Sequence, residues 1–384
     1  MKIFNDFASF DLTTALGVLY YCYMKNMTET SKVPNEPYTI VFASNANGVL
    51  PLTVTAFSLV KSAKDSTIYS ILVLSEGISK ASQTQFTETI KRVSPRHEVR
   101  FVEMADLYKD RTDLDEICGN WPLSAWARIF LPSVLPDAGR VLYLDIDMLI
   151  CDDCSELFTM DMRGASIGAV YEHISNNTKN YNKLLGIPNE YPAYFNSGTL
   201  LMDLNAFREK NLTEKILSYA NSHKEILEYP DQDAMNAVLY DDVIRLHPRW
   251  NWNDITTRRV LNHAPNTQAL IRAATFREVI EASHYPGILH YCGRYKPWKY
   301  NYHITRASYE KALVESGVTG YNLREGWSFK VFRKRLLYPI TYALVWKKVR
   351  RMVKHFNITA PPPPSTWGHS REIAAKGWKA ELYM

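Results

Sequence analysis

Two closely spaced carboxylates are the residues in this chain best suited to chemistry. Asp145 and Asp147 stand two residues apart within the apolar stretch 142–150. Because side chains alternate along a strand, both carboxylates are predicted to lie on one face, with Ile146 on the other. Two carboxylates on one face suit a hard divalent cation, Mg²⁺ or Mn²⁺, that also binds phosphate oxygens. A strand that ends in an acidic turn is the alternative interpretation.

The stretch around these carboxylates is predicted to be a fully buried strand, because it is apolar at nearly every other position. Burial of two unpaired carboxylates is unfavourable, so the pair is expected at the end of the strand, facing a cation. Further strands are predicted at 38–43, 68–74, 99–103, 165–170 and 194–203, with helical periodicity between several of them. This alternation indicates an α/β fold with parallel βαβ units, in which ligands bind beyond the carboxyl ends of the strands.

The length of 384 residues predicts one large domain with extensions, or two domains. We expect a helical appendage at 1–36, a catalytic domain at 37–300 and a basic, aromatic extension at 301–384. The net charge is +5, and residues 326–360 carry nine lysines and arginines without an acidic residue. Because the basic residues are concentrated there, the charge favours contact with an anionic membrane over a general nucleic-acid surface.

The five cysteines form no disulfide framework and indicate a reducing compartment. Cys151 and Cys154 have the C-x-x-C spacing of a zinc site, but no second pair follows them. The apolar segment 12–24 is too short to span a bilayer. A cytoplasmic location is therefore expected.

Four segments in order carry a family resemblance: Ile40-Val-Phe-Ala43 with the polar loop 44–48, Leu142-Tyr-Leu-Asp-Ile-Asp147, Phe195-Asn-Ser-Gly198 with Asp231-Gln-Asp233, and His290-Tyr-Cys-Gly293 with Lys296-Pro-Trp298. Over residues 38–300 the chain resembles glycosyltransferase family 8. These are retaining nucleotide-sugar enzymes that include bacterial lipopolysaccharide galactosyl- and glucosyltransferases. The resemblance implies a GT-A type fold, with a Rossmann-like, mostly parallel central sheet flanked by helices, and here a basic helical C-terminal extension.

The resemblance also implies a metal and donor site. Asp145, Asp147 and His290 would hold Mn²⁺, with Mg²⁺ as the alternative, and the metal would bridge the diphosphate of a UDP-sugar. An imidazole beside two carboxylates suits Mn²⁺ better than Mg²⁺. The residues implied in binding the donor are Ala43, Asn45, Asn47, Asp145, Ile146, Asn196, Gly293 and Lys296.

Three further residues are implied in catalysis. Arg128, in a predicted helix at 124–131, would contact the sugar and the aspartate pair. Gln232 would lie below the anomeric carbon, and because a carboxamide is a poor nucleophile, front-face attack explains retention more easily than double displacement. Asp231 is the nearest carboxylate for the alternative route, and it also suits the N-cap of a helix that opens at Pro230.

Two glycines depart from the family pattern. Gly48 stands where relatives often have a tyrosine that stacks on the base, and Gly168 where some have an aspartate that binds the acceptor. Asn45 stands where relatives often have an aspartate for the uracil edge, and it can still hydrogen-bond that edge. Four aromatic residues could stack on an acceptor sugar or could simply pack in the core: Tyr171, His173, Trp250 and Trp252.

The predicted function is transfer of galactose or glucose from a UDP-hexose to a saccharide or glycolipid acceptor, within a lipopolysaccharide or another surface glycan. Besides donor and acceptor, the expected partner is an anionic membrane surface, bound by the basic extension, and no nucleic acid is expected. The expected location is therefore peripheral, on the cytoplasmic face of the inner membrane. A solvated or core-packed pair of C-terminal helices is the alternative interpretation of the extension. Two alternatives remain open. One is a catalytically weak nucleotide-sugar-binding protein of the same fold, and the other is a haloacid-dehalogenase-like phosphotransfer enzyme, which also uses a D-x-D strand.

Overall fold

The computed structural model describes residues 36–108, 122–172, 181–188, 194–253, 285–293, 296–299 and 306–319, together with residues 274, 278, 279, 281 and 282. All helices and strands given below belong to the unit Pro37–Met384. The predicted N-terminal appendage, apart from Glu36, and the basic segment 326–360 lie outside the described residues. Within the described part, no helix is long and apolar enough to cross a membrane.

Ten strands form two sheets. They are β1 Tyr38–Asn45, β2 Tyr69–Glu76, β3 Glu98–Glu103, β4 Arg140–Leu144, β5 Met148–Ile150, β6 Ile167–Tyr171, β7 Phe195–Asp203, β8 Val243–Arg245, β9 Trp252–Asn253 and β10 Ile288–His290. The large sheet has the order β3-β2-β1-β4-β7-β6-β8, and β7 alone runs antiparallel to its neighbours. The predicted mostly parallel α/β sheet is therefore confirmed.

The α-helices for which the structure gives both ends accompany the sheets. They are α1 Val49–Ser62, α2 Lys80–Val93, α3 Met104–Leu107, α4 Leu123–Trp126, α5 Leu131–Val134, α6 Ser155–Phe158, α7 Leu204–Glu209, α8 Leu212–His223, α9 Pro230–Leu239 and α10 Arg306–Ser316. Short 3-10 helices occur at Ala46–Gly48, Ala127–Phe130, Lys224–Ile226 and Pro248–Asn251.

The large sheet is buried on both faces, which explains the continuous apolar runs in its strands. In β1, Ile40 and Phe42 pack with residues of α1 and α2, whereas Val41 packs on the opposite face with residues of α7, α8 and α9. The ligand-binding surface is therefore confined to the ends of the strands and the loops that follow them.

The prediction of one continuous strand at 142–150 is wrong. The chain leaves the large sheet after Leu144 and bends at 145–147, and β5 then joins the small sheet β5-β10-β9. Two contacts hold the bend: the Asp145 amide donates to the Gly198 carbonyl at 2.8 Å, and the Thr55 hydroxyl donates to the Ile146 carbonyl at 2.6 Å. The bend brings both carboxylates to the end of the large sheet and avoids their burial inside it.

Three helix predictions also need correction. The predicted helix at 124–131 is α4 followed by a 3-10 turn and α5, because Pro132 has no amide hydrogen to continue an α-helix. The helical stretch 207–219 is divided at Asn211, which has φ 52°. Asp231 is not an N-cap: Tyr229 occupies that position, and Pro230 follows at the first helical position.

Candidate active site

A cavity of about 1170 Å³ opens where β1, β4 and β6 end and the antiparallel β7 begins. Every residue predicted to bind metal or donor, or to act in catalysis, lines this cavity: Ala43, Asn45, Asn47, Arg128, Asp145, Ile146, Asp147, Asn196, Asp231, Gln232, His290, Gly293 and Lys296. The fold thus gathers residues from six separate stretches of the chain at one edge of the sheet.

A group suited to a metal ion lies in this cavity. Asp145, Asp147 and His290 offer ligand atoms that all lie within 4.8 Å of one another. His290 Nε2 is 3.1 Å from Asp147 Oδ1 and 3.8 Å from Asp145 Oδ2. His290 reaches this position because β10 pairs antiparallel with β5, which places it opposite Met148, directly after the aspartate pair. Gly198 lies behind the group and leaves no space for a side chain.

Lys296 adds a positive charge beside this group. Its Nζ donates to Asp147 Oδ2 at 2.5 Å and to the Tyr291 carbonyl at 2.7 Å. Burial acts to raise the pKa of Asp147, but the charges of His290 and Lys296 outweigh burial and hold that pKa well below its usual range. Asp147 is therefore ionised, as a metal ligand must be.

Arg128 connects the aspartate pair with α9. Its buried guanidinium lies 4.3 Å from the Tyr143 ring centre, donates to Asp145 Oδ1 at 2.9 Å and also donates to the Ser197 carbonyl. Arg128 Nε lies 3.4 Å from Asp231 Oδ2. Burial nevertheless raises the pKa of Asp231 to about 6, because Arg128 offsets the loss of solvation only in part.

Gln232 is fixed in orientation by hydrogen bonds at both ends of its amide. Its Nε2 donates to Tyr194 Oη at 3.0 Å, and its Oε1 accepts from the Ser197 amide at 2.9 Å. The Tyr194 hydroxyl donates in turn to Asp233 at 2.5 Å. Asp233 is fully buried and accepts three more hydrogen bonds, from the Tyr181 hydroxyl and the amides of residues 228 and 229.

The sequence analysis missed this support for Gln232. The sequence offered one indication that Asp233 could support the site. It is the second carboxylate of Asp231-Gln-Asp233 and follows Asp231 closely in a helix that opens at Pro230. The sequence offered no such indication for Tyr194 and Tyr181, because their contacts with Asp233 join segments that lie about 40 and 50 residues apart.

The opposite end of the cavity is formed by the loop after β1. Asn45 caps the 3-10 turn by accepting from the Asn47 amide at 3.1 Å. Gly48 is buried, and a β-carbon there would stand 2.5 Å from Ile146 Cδ1. Ile146 therefore occupies the space that a larger residue at position 48 would need, so an aromatic side chain there is excluded without rearrangement.

Within the described residues, the expected acceptor-stacking residues do not line the cavity. Trp250 and Trp252 are buried at 2% and 5% exposure in the core clusters, and Tyr171 packs against the core. Gly168 lies inside β6 against Leu246 and does not line the cavity. His173 lies outside the described residues.

Glu172, which directly follows β6, lines the cavity instead. Sequence reasoning missed Glu172 and also Asn251, which contacts the ring of His290. Neither residue belongs to a motif, and only the fold places them beside the metal group.

The C-x-x-C pair forms no metal site in the described structure. Cys151 and Cys154 are free, buried thiols that pack in two different core clusters. Burial raises the pKa of both thiols, and Cys151 reaches about 12. Among the described residues, the group that could hold a metal ion is the Asp145, Asp147 and His290 group.

Comparison with known proteins agrees with this site. The family model of Glycosyl transferase family 8 matches residues 39–302. The chain is 29% identical over 236 residues to General stress protein A of Bacillus subtilis, covering 60% of this chain and 77% of that protein. It is 28% identical over 257 residues to Lipopolysaccharide 1,2-glucosyltransferase of Escherichia coli, covering 65% of this chain and 71% of that protein.

The fold is shared with a solved glycosyltransferase. The galactosyltransferase LgtC, determined with donor and acceptor sugar analogues, superposes with a TM-score of 0.59 at 23% identity, over 73% of this chain and 95% of that one. This likeness confirms the expected GT-A type architecture. Because the family model spans more than half of the sequence and the metal group lies at the edge of the matching fold, the chain belongs to glycosyltransferase family 8.

Proposed function

We propose that this glycosyltransferase moves galactose or glucose from a UDP-sugar to a saccharide acceptor of a lipopolysaccharide or another surface glycan, with retention of anomeric configuration and dependence on Mn²⁺. The observation that carries the proposal is the position of the metal group and Lys296 in the same cavity as Arg128, Asp231 and Gln232. The lipopolysaccharide 1,2-glucosyltransferase relative supports the acceptor class.

The metal group fits a divalent cation. Two carboxylates and an imidazole converge within 4.8 Å, and Gly198 allows this close approach because it has no side chain. This donor set suits Mn²⁺, which binds both carboxylate oxygen and imidazole nitrogen. When bound, the cation supplies positive charge that binds the donor diphosphate and stabilises the leaving nucleotide.

The protein's own residues have distinct proposed roles. Lys296 would lie against the diphosphate as a point charge, and Gly293, with φ 80°, would let the backbone approach it closely. Ala43, Asn45, Asn47 and Ile146 would bind the nucleoside, and Asn196 the donor sugar. Arg128 would hold the sugar and Asp145 together.

Retention is assigned to front-face attack. The Gln232 amide is hydrogen-bonded through both its oxygen and its nitrogen, and a carboxamide is in any case a weak nucleophile. Asp231 remains the alternative carboxylate, but its Oδ2 faces Arg128 and the Ser197 hydroxyl. We therefore assign Gln232 to the stabilisation of a positively charged sugar. Asp231 is assigned to the stabilisation of Arg128.

UDP release tests this function. With UDP-galactose and UDP-glucose, Mn²⁺-dependent release is expected from the wild type, and loss by orders of magnitude from Asp147→Ala. Asp106→Ala is the control, since it removes a carboxylate from an exposed position outside the cavity. A folded protein that binds UDP but consumes no sugar donor would establish the binding-protein alternative instead. Family membership already argues against the haloacid-dehalogenase alternative, which phosphate release from simple phosphoesters would restore.

The basic segment 326–360 supports a second part of the proposal, peripheral attachment to the cytoplasmic face of the inner membrane. Lysine and arginine near an anionic surface each contribute about 1 kcal/mol to binding. The full-length protein should sediment with vesicles that contain phosphatidylglycerol and stay in solution with pure phosphatidylcholine. Glutamine at Lys347, Lys348, Arg350 and Arg351 should abolish sedimentation, and retention by that variant would contradict the attachment.

A further inference from the structure

A chain of hydrogen bonds runs from Glu172 to the metal group through two buried amides. Glu172 Oε1 lies 2.6 Å from Asn196 Nδ2, and Asn196 Oδ1 lies 2.8 Å from Asn251 Nδ2. Asn251 Oδ1 lies 2.8 Å from His290 Nδ1. Asn196, Asn251 and His290 are all less than a tenth exposed. Their polar groups therefore depend on one another, and not on solvent, for hydrogen bonds.

The direction of every bond in this chain follows from its first member. An ionised carboxylate can only accept, so Asn196 must turn its amide nitrogen towards Glu172 and its oxygen towards Asn251. Asn251 must then present its nitrogen to Asn196 and its own oxygen to His290. An oxygen acceptor at Nδ1 requires a proton on Nδ1.

A second donor agrees with this direction. The Gly198 amide, which can only donate, contacts Asn196 Oδ1 at 2.9 Å. The orientation of Asn196 is therefore set from both sides, by a group that only accepts and a group that only donates. Glu172 directly follows β6, whereas Asn196 and Gly198 both lie in β7. Asn251 then passes the orientation of Asn196 on to His290 in β10.

We propose that Glu172 is a positioning residue that, through Asn196 and Asn251, keeps His290 protonated on Nδ1 and its Nε2 free as a metal ligand. Nε2 is the ring nitrogen that faces Asp147 and Asp145. Metal-bound histidines depend on such a partner at the other ring nitrogen, which fixes the tautomer and the ring angle. The inference rests on the metal site of the proposed function, not on the identity of the sugar or the acceptor.

The first test is the affinity for Mn²⁺ alone, measured from the signal of free Mn²⁺ in electron paramagnetic resonance. Glu172→Met removes the terminal acceptor, and we expect affinity to fall about tenfold, at the lower end of what loss of such supporting partners costs. Glu172→Gln retains an oxygen that can accept, so its affinity should stay within about threefold of wild type. Asn251→Leu removes the direct partner of the ring, so its affinity for Mn²⁺ should fall further than that of Glu172→Met.

Glu228→Met is the matched control. Glu228 also lines the cavity, so this variant removes the same charge without touching the chain of amides. Equal losses of affinity in Glu228→Met and Glu172→Met would overturn the proposal, because they would reveal a simple effect of charge. Affinity in Glu172→Met equal to that of wild type would overturn it as well.

The second test observes the tautomer directly and needs no metal. Long-range ¹H–¹⁵N spectra of labelled histidine, recorded on metal-free protein, show which ring nitrogens carry a proton. His290→Gln assigns the signal. A proton on Nδ1 is expected in the wild type, with or without a second proton on Nε2, which faces the ionised Asp147 at 3.1 Å. The population without a proton on Nδ1 should increase in Glu172→Met and Asn251→Leu. A wild-type ring without a proton on Nδ1 would disprove the inference, whereas absence of sugar transfer would leave this readout unaffected and count only against the proposed function.

Discussion

Gly198 and His290 lie so close that a β-carbon at position 198 would stand 2.4 Å from His290 Cε1. The same atom would stand 2.8 Å from Asp145 Oδ2. Distances this short are not found at real side chains, so the imidazole and the carboxylate converge only because this position of β7 has no side chain.

Gly198→Ala should therefore displace His290 and Asp145 while leaving the chemical identity of every metal ligand unchanged. The backbone at 198 is ordinary strand, so the expected effect comes from space and not from strain in the main chain. We expect Mn²⁺ affinity to fall about 10- to 100-fold, the range seen when the partners that orient ligands are disturbed. Isothermal titration with Mn²⁺ measures it.

Gly139→Ala is the control for that substitution, because a β-carbon there meets only Asn205 Nδ2, at an ordinary contact of 3.4 Å. It should bind Mn²⁺ like the wild type. If Gly198→Ala also binds normally, the ring and carboxylate can move apart and the close approach has no bearing on the site.

Tyr194→Phe should lower turnover while leaving donor binding nearly intact. The substitution removes the hydroxyl that accepts from Gln232 and donates to Asp233. The Gln232 amide is then held through its oxygen alone, by Ser197, and we expect kcat to fall by at least tenfold with little change in KM for the sugar donor. Steady-state kinetics with both substrates separate these two quantities.

Tyr69→Phe controls for the loss of a buried tyrosine hydroxyl. Tyr69 is fully buried, and its hydroxyl accepts from the Cys154 amide at 3.0 Å, outside the cavity. Both variants should lose about 1–2 kcal/mol of unfolding free energy. Only Tyr194→Phe should lose turnover, and equal kcat values in the two variants would refute the role of Tyr194.

Asp231 should make stability fall as pH rises. Its pKa is raised to about 6 in the folded protein from an ordinary value of 3.8. Between those values the folded state binds more protons than the unfolded state, so the contribution of Asp231 to stability is complete below pH 4 and is lost by pH 6–7. Two pKa units correspond to about 3 kcal/mol.

Urea unfolding of metal-free wild type and Asp231→Asn tests this. The asparagine does not titrate, so the unfolding free energy of the variant should rise by up to about 3 kcal/mol relative to that of the wild type between pH 4 and pH 7. Parallel stability curves would mean that Asp231 keeps an ordinary pKa beside Arg128.

The main features of the site could be predicted from sequence because their signals are local. Asp145 and Asp147 stand together in an apolar run, and His290 belongs to a recognisable segment with Gly293 and Lys296. The bend between β4 and β5 could not be predicted. It depends on Thr55 and Gly198, which are distant in sequence and contact the bend only in the folded chain.

Contacts between distant polar side chains were also beyond the sequence. Glu172 and Asn251 carry no motif, and their role comes from where β6 and the 3-10 turn Pro248–Asn251 end. Trp250 illustrates the converse, because composition alone does not distinguish a buried tryptophan from one that faces a ligand.

Arg249→Met should destabilise the protein through a buried charge far from the chemistry. Arg249 Nη2 lies 2.5 Å from Asp152 Oδ2, and both side chains are almost fully buried, at 1% and 3% exposure. The pair joins the segment after β5 to the 3-10 turn that carries Asn251. Removing one partner leaves Asp152 charged in the core, which costs about 3–5 kcal/mol.

The double variant Asp152→Leu/Arg249→Met should recover part of that loss, because the buried Asp152 carboxylate is then removed as well. Lys61→Met is the comparison at an exposed pair: its partner Glu315 lies 2.5 Å away at 34% exposure, and the loss should stay below about 1 kcal/mol. Urea unfolding measures all three. If Arg249→Met costs no more than Lys61→Met, the buried pair does not hold these two segments together, and the position of Asn251 beside His290 must depend on its amide contacts alone.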